Sequence, residues 1–457
     1  MRVALVKPRQ YLCDESSAGK PAFPKLGCSI FLAASYCKNL GFEAEVFNVP
    51  SAATISYDAF DVVVGWVPLY DGFYEGLAFL EKAKAKGKIT IMILNDPVDA
   101  MEEEVMRRFS YVDFCVRLYE REFTLGLLLQ DLSQKIRSSF RHPGLLYRQG
   151  ERIINTGKSP ARNDLTHLSS TAEFLRKEPL STYREVFIEA GRGCPYGCTF
   201  CFYHGTQQRK RAYADIIDEL TVAGNKVEQV WLHDLNMLIN EQWVNGLCDA
   251  LIAAGSPAHW GTDARLDECA NLPLLKKMKR AGCSLLVFGI ESADEEIIKR
   301  INKRVDFKLL DIALANCAAA GIRAELNIMY GFPWDNNATM RKTALFIRKY
   351  PVTCIMIVRP LRGTPLYDEC KRLKIIQRDM TLDDYIHSKR YPAHPTLYLS
   401  RKQIYRWHRR FESIVSGLSF KRKIEKEGFI HAVCDLILLK KHKLLNPRKI
   451  IEHIIYR

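Results

Sequence analysis

The sequence has no apolar run approaching the roughly 20 residues needed to cross a bilayer. Its longest, such as Ile30–Ala34 and Leu436–Leu439, stop far short, so no membrane-spanning helix is expected. The opening MRVALVKPRQ lacks the extended apolar core and small-residue cleavage site of a secretory leader and reads as a first strand. The expected compartment is therefore the cytoplasm. No internal repeat or low-complexity segment occurs, which sets aside solenoids and compositional disorder. Histidine is scarce, at 11 residues, and absent before His142. Residues 1–141 can offer no imidazole to a metal.

What is present points to a large globular protein. A chain of 457 residues, 47% apolar and 26% charged, exceeds one hydrophobic core, so two or three domains are expected. The net charge is +15, and from Arg401 onward 15 Lys/Arg face 5 Asp/Glu. This basic tail could meet an anionic membrane, an acidic protein, a phosphorylated substrate or nucleic acid, or be only a solvated helix face. No RNA-binding module is recognisable, so nucleic acid is not the expected partner.

Periodicity divides the chain into four parts of an α/β protein. Residues 1–135 alternate short apolar runs with helical stretches, the pattern of a Rossmann-like open parallel sheet. Its candidate strands are Arg2–Lys7, Glu43–Val49, Asp61–Trp66, Lys88–Leu94 and Val112–Arg117. Residues 136–184 are rich in turn formers and read as a connector with a hairpin at Tyr147–Asn155. Residues 185–370 hold six strand–helix units, with strands starting at Val186, Gln229, Ala258, Leu285, Arg323 and Thr353. Six units suit a partial parallel barrel, whose ligands sit at the C-terminal ends of the strands. Residues 371–457 lack strand patterning and read as a basic helical extension.

Fourteen cysteines without an export signal are expected to be reduced. Eleven are scattered, Cys354 among them, and read as small buried hydrophobes. The other three converge in Gly191-Arg192-Gly193-Cys194-Pro195-Tyr196-Gly197-Cys198-Thr199-Phe200-Cys201, directly after the first strand of the six-unit run. Thiolates are the usual ligands of iron–sulfur clusters, and glycines at 193 and 197 let a loop turn tightly around one. Three ligands for four irons leave one iron open to a small molecule. Zinc, with His204 as a fourth ligand, is the competing reading on spacing alone.

The Cys-x3-Cys-x2-Cys spacing after a barrel's first strand resembles the radical S-adenosylmethionine (SAM) enzymes, and the likeness runs from about Val186 to Tyr367. The resemblance implies that Cys194, Cys198 and Cys201 hold a [4Fe-4S] cluster whose open iron takes the amine and carboxylate of SAM, with Phe200 against the adenine. Reductive cleavage would leave a 5′-deoxyadenosyl radical that takes hydrogen from a small-molecule biosynthetic intermediate. In Trp231-Leu232-His233-Asp234 the two glycines often found after the family's second strand are missing, but Asp234 stands where a carboxylate could meet the methionine amine. Arg265, in Trp260-Gly261-Thr262-Asp263-Ala264-Arg265, is similar to an arginine that neutralises the methionine carboxylate by a forked hydrogen bond. Gly289-Ile290-Glu291-Ser292 resembles the segment in which Glu291 and Ser292 would bond the ribose hydroxyls or the methionine end. Gly331-Phe332-Pro333 resembles the turn closing the fifth strand, with Trp334-Asp335 in place of Gly-Glu. An electron donor of flavodoxin or ferredoxin type and sensitivity to oxygen are further implications. Tyr203, His204 and Cys354 stand near strand ends, and none is assigned as a proton carrier.

Phe23-Pro24-Lys25-Leu26-Gly27 followed by Phe31-Leu32-Ala33 is similar to the loop and first helix of the cobalamin-binding domain in one branch of that family. The Asp-x-His-x-x-Gly ligand motif of other cobalamin proteins is absent, and Leu94-Asn95-Asp96-Pro97 replaces a frequent Gly-Gly turn. Two outcomes stay open. Either cobalamin binds and the enzyme methylates carbon, or the domain only supports the barrel and the radical drives a dehydration, dehydrogenation, rearrangement or cyclisation. RNA modification and non-catalytic metal binding are the remaining alternatives.

Overall fold

The computed structural model describes residues 1–9, 11–12, 23–49, 52–69, 72–95, 98, 100–117, 119–136, 139–162, 164–386 and 391–427. Cys13, Asp96, Pro97 and Cys434, and the part of the C-terminal extension beyond Glu427, lie outside them. The first half of the chain comprises β1 (Arg2–Pro8), β2 (Tyr11–Leu12), β3 (Phe23–Gly27), α1 (Ser29–Asn39), β4 (Glu43–Val49), β5 (Val62–Val67) and α2 (Phe73–Ala85). It continues with β6 (Ile89–Leu94), α3 (Met101–Arg108), β7 (Phe114–Val116), α4 (Arg121–Ser133), β8 (Leu145–Gln149), β9 (Arg152–Asn155) and α5 (Ala172–Lys177). The second half begins with β10 (Glu185–Glu189), β11 (Gly191–Arg192), β12 (Arg209–Lys210), α6 (Tyr213–Ala223), β13 (Gln229–His233), α7 (Glu241–Ala253), β14 (Trp260–Ala264) and α8 (Leu272–Arg280). It ends with β15 (Cys283–Glu291), α9 (Glu295–Arg300), α10 (Phe307–Ala320), β16 (Arg323–Tyr330), α11 (Asn337–Lys349), β17 (Val352–Ile357), α12 (Pro365–Arg372), α13 (Leu382–Ile386) and α14 (Arg401–Glu427).

These elements build two large sheets. The first has the order β4-β1-β5-β6-β7-β8-β9, parallel from β4 to β7. Its central strand β5, VVVGWV, is buried at every position, as expected of a parallel strand covered by helices on both faces. Gly65 in that strand leaves the space taken by Leu80 of α2. The expected hairpin forms as β8–β9 and continues this sheet antiparallel to β7.

The second sheet, in the order β17-β16-β15-β14-β13-β10-β3-β2, contains the six expected parallel strands of an open half-barrel. Its third strand is expected from Ala258 to Thr262 but runs from Trp260 to Ala264. The expected strand stops one residue short of Asp263, yet a charged residue is admissible within it because the interior of an open barrel is polar. One further difference concerns the loop before α1, which supplies β3 and pairs parallel with β10. The chain thus leaves the first sheet after β1, adds a strand to the second, and returns through α1 and β4. One apolar cluster runs across the junction, joining Val3, Val64 and Trp66 of the first sheet, Phe31 of α1, and Val186 and Ile188 of β10. The C-terminal ends of β10 and β13 to β17 gather at one mouth, with the cysteine loop after β10 beside it. Among the described residues no helix is long and apolar enough to cross a membrane.

Candidate metal centre

The cysteine loop is clamped at its base by the β11–β12 ladder, in which Gly191 faces Lys210 and Arg192 faces Arg209. Gly193 follows with φ +85°, and a Cβ there would overlap the Gln207 carbonyl oxygen. Only glycine closes this turn. Inside the loop, Cys194 N–H donates to Thr206 Oγ1 at 2.9 Å, and Cys201 N–H donates to the Cys198 carbonyl at 3.1 Å. Outside it, Thr199 N–H donates to Ile301 O at 3.0 Å, Leu366 N–H donates to Thr199 O at 2.9 Å, and Asn302 Nδ2 donates to Gly197 O at 2.9 Å. The loop is therefore held from two later barrel segments.

All three thiols are free. Cys198 is buried, while Cys194 and Cys201 are half-buried. Burial pushes each thiol up, Cys201 to about 11, while Lys303 pulls all three the other way and Arg265 does the same for Cys194 and Cys198. Such cationic neighbours favour the thiolate that a metal requires. Among the described residues, no three His, Cys, Asp or Glu side chains are grouped to hold a single metal ion, these thiols included. His204 Nδ1 lies 2.7 Å from the Cys201 carbonyl oxygen.

The other expected site residues line the same mouth in different states. Phe200 packs edge-on to Phe332 at 6.2 Å, against the Gly331–Pro333 turn. Arg265 is half of a stacked pair, its guanidinium 3.9 Å from the Tyr196 ring centre. It also donates to the carbonyls of Lys303 at 3.0 Å and Arg304 at 2.9 Å. Glu291 ends β15 in the left-handed region with φ +69°, an uncommon conformation for a non-glycine residue, and its carboxylate pairs with Lys303 at 2.9 Å. Asp234 is fully buried and pairs with Lys210 at 2.6 Å.

Ser292, Gly331 and Pro333 are held within their own turns. Ser292 Oγ accepts from Asp294 N–H at 3.2 Å, and the Pro333 carbonyl accepts from Leu397 N–H at 2.9 Å. Gly331, at φ +87°, and Phe332 both donate their N–H to Asp335, at 2.7 and 2.9 Å. Burial pushes Asp335 up to about 6 although these donors and the Thr339 hydroxyl pull it down. Asp335, standing where the resemblance expects Gly-Glu, is thus the acceptor that closes the turn.

Several residues escape sequence reasoning. Lys303 lies in a short linker after α9, with no motif to mark it. Asp263 lies beside His233, because Trp231 pairs with Gly261 two residues earlier. Burial pushes Asp263 up to about 6, with His233 and Lys303 opposing, and pushes Glu268 up to about 7. The largest omission is a buried ionic network between the sheets. Arg192, next to the cysteine loop, grips Glu122 of α4 through two bonds of 2.9 and 2.8 Å and also pairs with Glu189. Arg121 reaches Glu189 at 2.9 Å, and Arg209 pairs with Glu120. Burial raises both Glu122 and Glu189, but the arginines outweigh it and hold both below the usual carboxylate range.

At the C-terminal edge of the first sheet the parallel strands end in Val49, Pro8, Val67, Leu94 and Val116, and no histidine stands there among the described residues. His142 pairs instead with Asp131 at 2.7 Å. Asn95 is engaged by Trp66 Nε1 at 2.9 Å. These residues do not fit a cobalt ion held by a protein imidazole.

Residues 188–347 match the radical SAM superfamily. The chain is 22% identical to an uncharacterised methyltransferase of Pyrococcus horikoshii, covering 80% of this chain and 82% of that protein. Its fold matches that of the cobalamin-dependent SAM radical enzyme OxsB with a TM-score of 0.69 at 16% identity, covering 100% of this chain and 70% of that one. It also matches the radical SAM methyltransferase TsrM of Kitasatospora setae with a TM-score of 0.66 at 13% identity, covering 98% and 89%.

Proposed function

We propose that this chain, a radical SAM enzyme, methylates a carbon atom of a small-molecule intermediate. The observation that carries the reading is the set of three free thiols on one glycine-pinned loop at the barrel mouth, with Lys303 and Arg265 beside them. When bound, the cluster and SAM supply an electron and a 5′-deoxyadenosyl radical able to take hydrogen from an unactivated carbon.

The chain's own residues bind, orient and shield. Cys194, Cys198 and Cys201 hold the cluster, and Lys303, itself held by Glu291, favours their ionised state. Arg265 would meet the methionine carboxylate, Asp234 the amine, and Glu291 or Ser292 the ribose hydroxyls. Phe200, with the Gly331 and Pro333 turn, would wall the adenine and exclude water.

Methyl transfer is supported by the match to a methyltransferase across most of both chains. Cobalamin would supply the methyl relay when bound. Radical chemistry without cobalamin, a dehydration, dehydrogenation, rearrangement or cyclisation, is the second reading. Leu94-Asn95-Asp96-Pro97 in place of a Gly-Gly turn favours it, since a bulkier, charged segment hinders close approach of a nucleotide tail. An acidic flavodoxin or ferredoxin would deliver the electron to a basic surface, in the cytoplasm and away from oxygen. Divisions near residues 135, 184 and 370 complete the proposed organisation, with the hairpin of the 136–184 segment joining the first sheet.

The test is anaerobic turnover of the reconstituted enzyme, with added cobalamin and methyl-deuterated SAM, in an extract of small metabolites. Methylation predicts a product carrying the deuterated methyl group and protein that retains the cobalamin spectrum through gel filtration. Substrate-dependent 5′-deoxyadenosine without methyl transfer or cobalamin retention would establish the second reading instead.

A further inference from the structure

Helices α11 and α14 pack side by side on the outside of the barrel, where Trp407 Nε1 donates to Asn337 Oδ1 at 3.0 Å. Residues 337–349 and 401–418 together hold nine Lys/Arg against a single acid, Glu412. Arg341, Arg348, Lys402, Arg406 and Arg409 are exposed and have no acidic partner among the described residues. Positions 402, 406, 409 and 410 recur at the spacing of one helix face.

Large apolar side chains are exposed on α11 and on the segment leading into α14. Leu345, in the midst of the α11 basic face, is 67% exposed, and Leu397 and Tyr398, leading into α14, are 43% and 63% exposed. A solvated face would account for the charge but not for these. The chain beyond Gly428 carries six Lys/Arg and two Asp/Glu, so its charge does not complement this surface. Nucleic acid would complement the arginines and stack on Tyr398, yet gains little from exposed leucines. An anionic bilayer satisfies both, offering phosphates to the cations and an acyl boundary to the apolar groups.

We propose that the α11–α14 face docks the protein on an anionic lipid surface, with Leu345, Leu397 and Tyr398 entering the interface. Leu397 bonds the Pro333 carbonyl, so docking would bring the barrel mouth close to the membrane. The inference does not depend on the reaction proposed above.

Full-length, cluster-reconstituted protein would be sedimented with vesicles of phosphatidylcholine alone, or of phosphatidylcholine with phosphatidylglycerol, at about 0.1 M salt. Capture by the anionic vesicles is expected to exceed capture by the neutral ones at least about tenfold. The combined Arg341→Gln, Arg348→Gln, Arg406→Gln and Arg409→Gln protein should lose on the order of a hundredfold in affinity. Leu345→Ser, a milder variant, should lose severalfold. Retained cluster absorbance shows that each variant is folded. Equal capture by both vesicle types, capture unaffected by the four arginine changes, or binding of an RNA oligonucleotide without vesicle binding would overturn the proposal.

Discussion

Cys194, Cys198 and Cys201 are legible in sequence as the proposed cluster ligands because such ligation would be local: one tight loop carries all three thiols, and its glycines can be read directly. Gly193→Ala tests that locality. With φ +85° and the Gln207 carbonyl in the way of a Cβ, the variant should take up much less iron on reconstitution while its circular dichroism stays native. Full iron loading would refute the need for the turn. Lys303, by contrast, reaches the thiols from a distant linker, and no residue pattern announces it. Since it opposes the burial that raises all three thiols, Lys303→Met should slow alkylation of the cluster-free thiols near pH 8 by about threefold to tenfold. An unchanged rate would remove its assigned role. Glu268 gives the residue scale its pH signature. Its folded value of about 7 lies above the unfolded carboxylate range, so the folded state holds the extra proton and stability falls as pH rises from about 4.5 to 7. Glu268→Gln should flatten that part of the stability profile in denaturant titrations.

At the scale of elements, the strands of both sheets are legible because buried parallel strands are continuous Val/Ile/Leu runs, as in β5 and β6. What escapes is decided by partners rather than by propensity. The segment at Phe23–Gly27 is a strand only because β10 offers it an edge, and β14 runs on through Asp263 because that residue faces the barrel interior. Helix starts are equally local. Asn336 accepts from Ala338 and Thr339 N–H at 2.8 and 3.2 Å, forming a reciprocal cap at α11. Asn336→Ala should cost about 1 kcal/mol by chemical denaturation. It should leave the cluster intact, since the cap lies outside the cysteine loop.

In the whole molecule, the cysteine loop is tied to the first sheet by Arg192, Glu122, Glu189 and Arg121. Such a network is invisible in sequence, because each charge reads as a solvated residue until the fold buries it. Removing one member leaves the others uncompensated. Arg192→Met should therefore cost about 3–5 kcal/mol, and adding Glu122→Gln should recover part of the loss. Both carboxylates are held below the usual range, so their contribution is present at neutral pH and lost as pH falls through and below that range. Arg209 with Glu120 and Tyr119 with the Phe202 carbonyl at 3.2 Å are further ties to this loop, beside β3 and the shared apolar core.

The most direct measurement is 5′-deoxyadenosine formation under strict anaerobiosis, using protein reconstituted with iron and sulfide, reduced with dithionite and supplied with SAM. Wild-type protein should show the electron paramagnetic resonance signal of a reduced [4Fe-4S] cluster, altered by SAM, and release 5′-deoxyadenosine, whereas Cys198→Ala should do neither. A wild-type protein that stays free of iron and leaves SAM intact, or a Cys198→Ala protein that cleaves it equally well, would contradict the assignment of this loop as the cluster site.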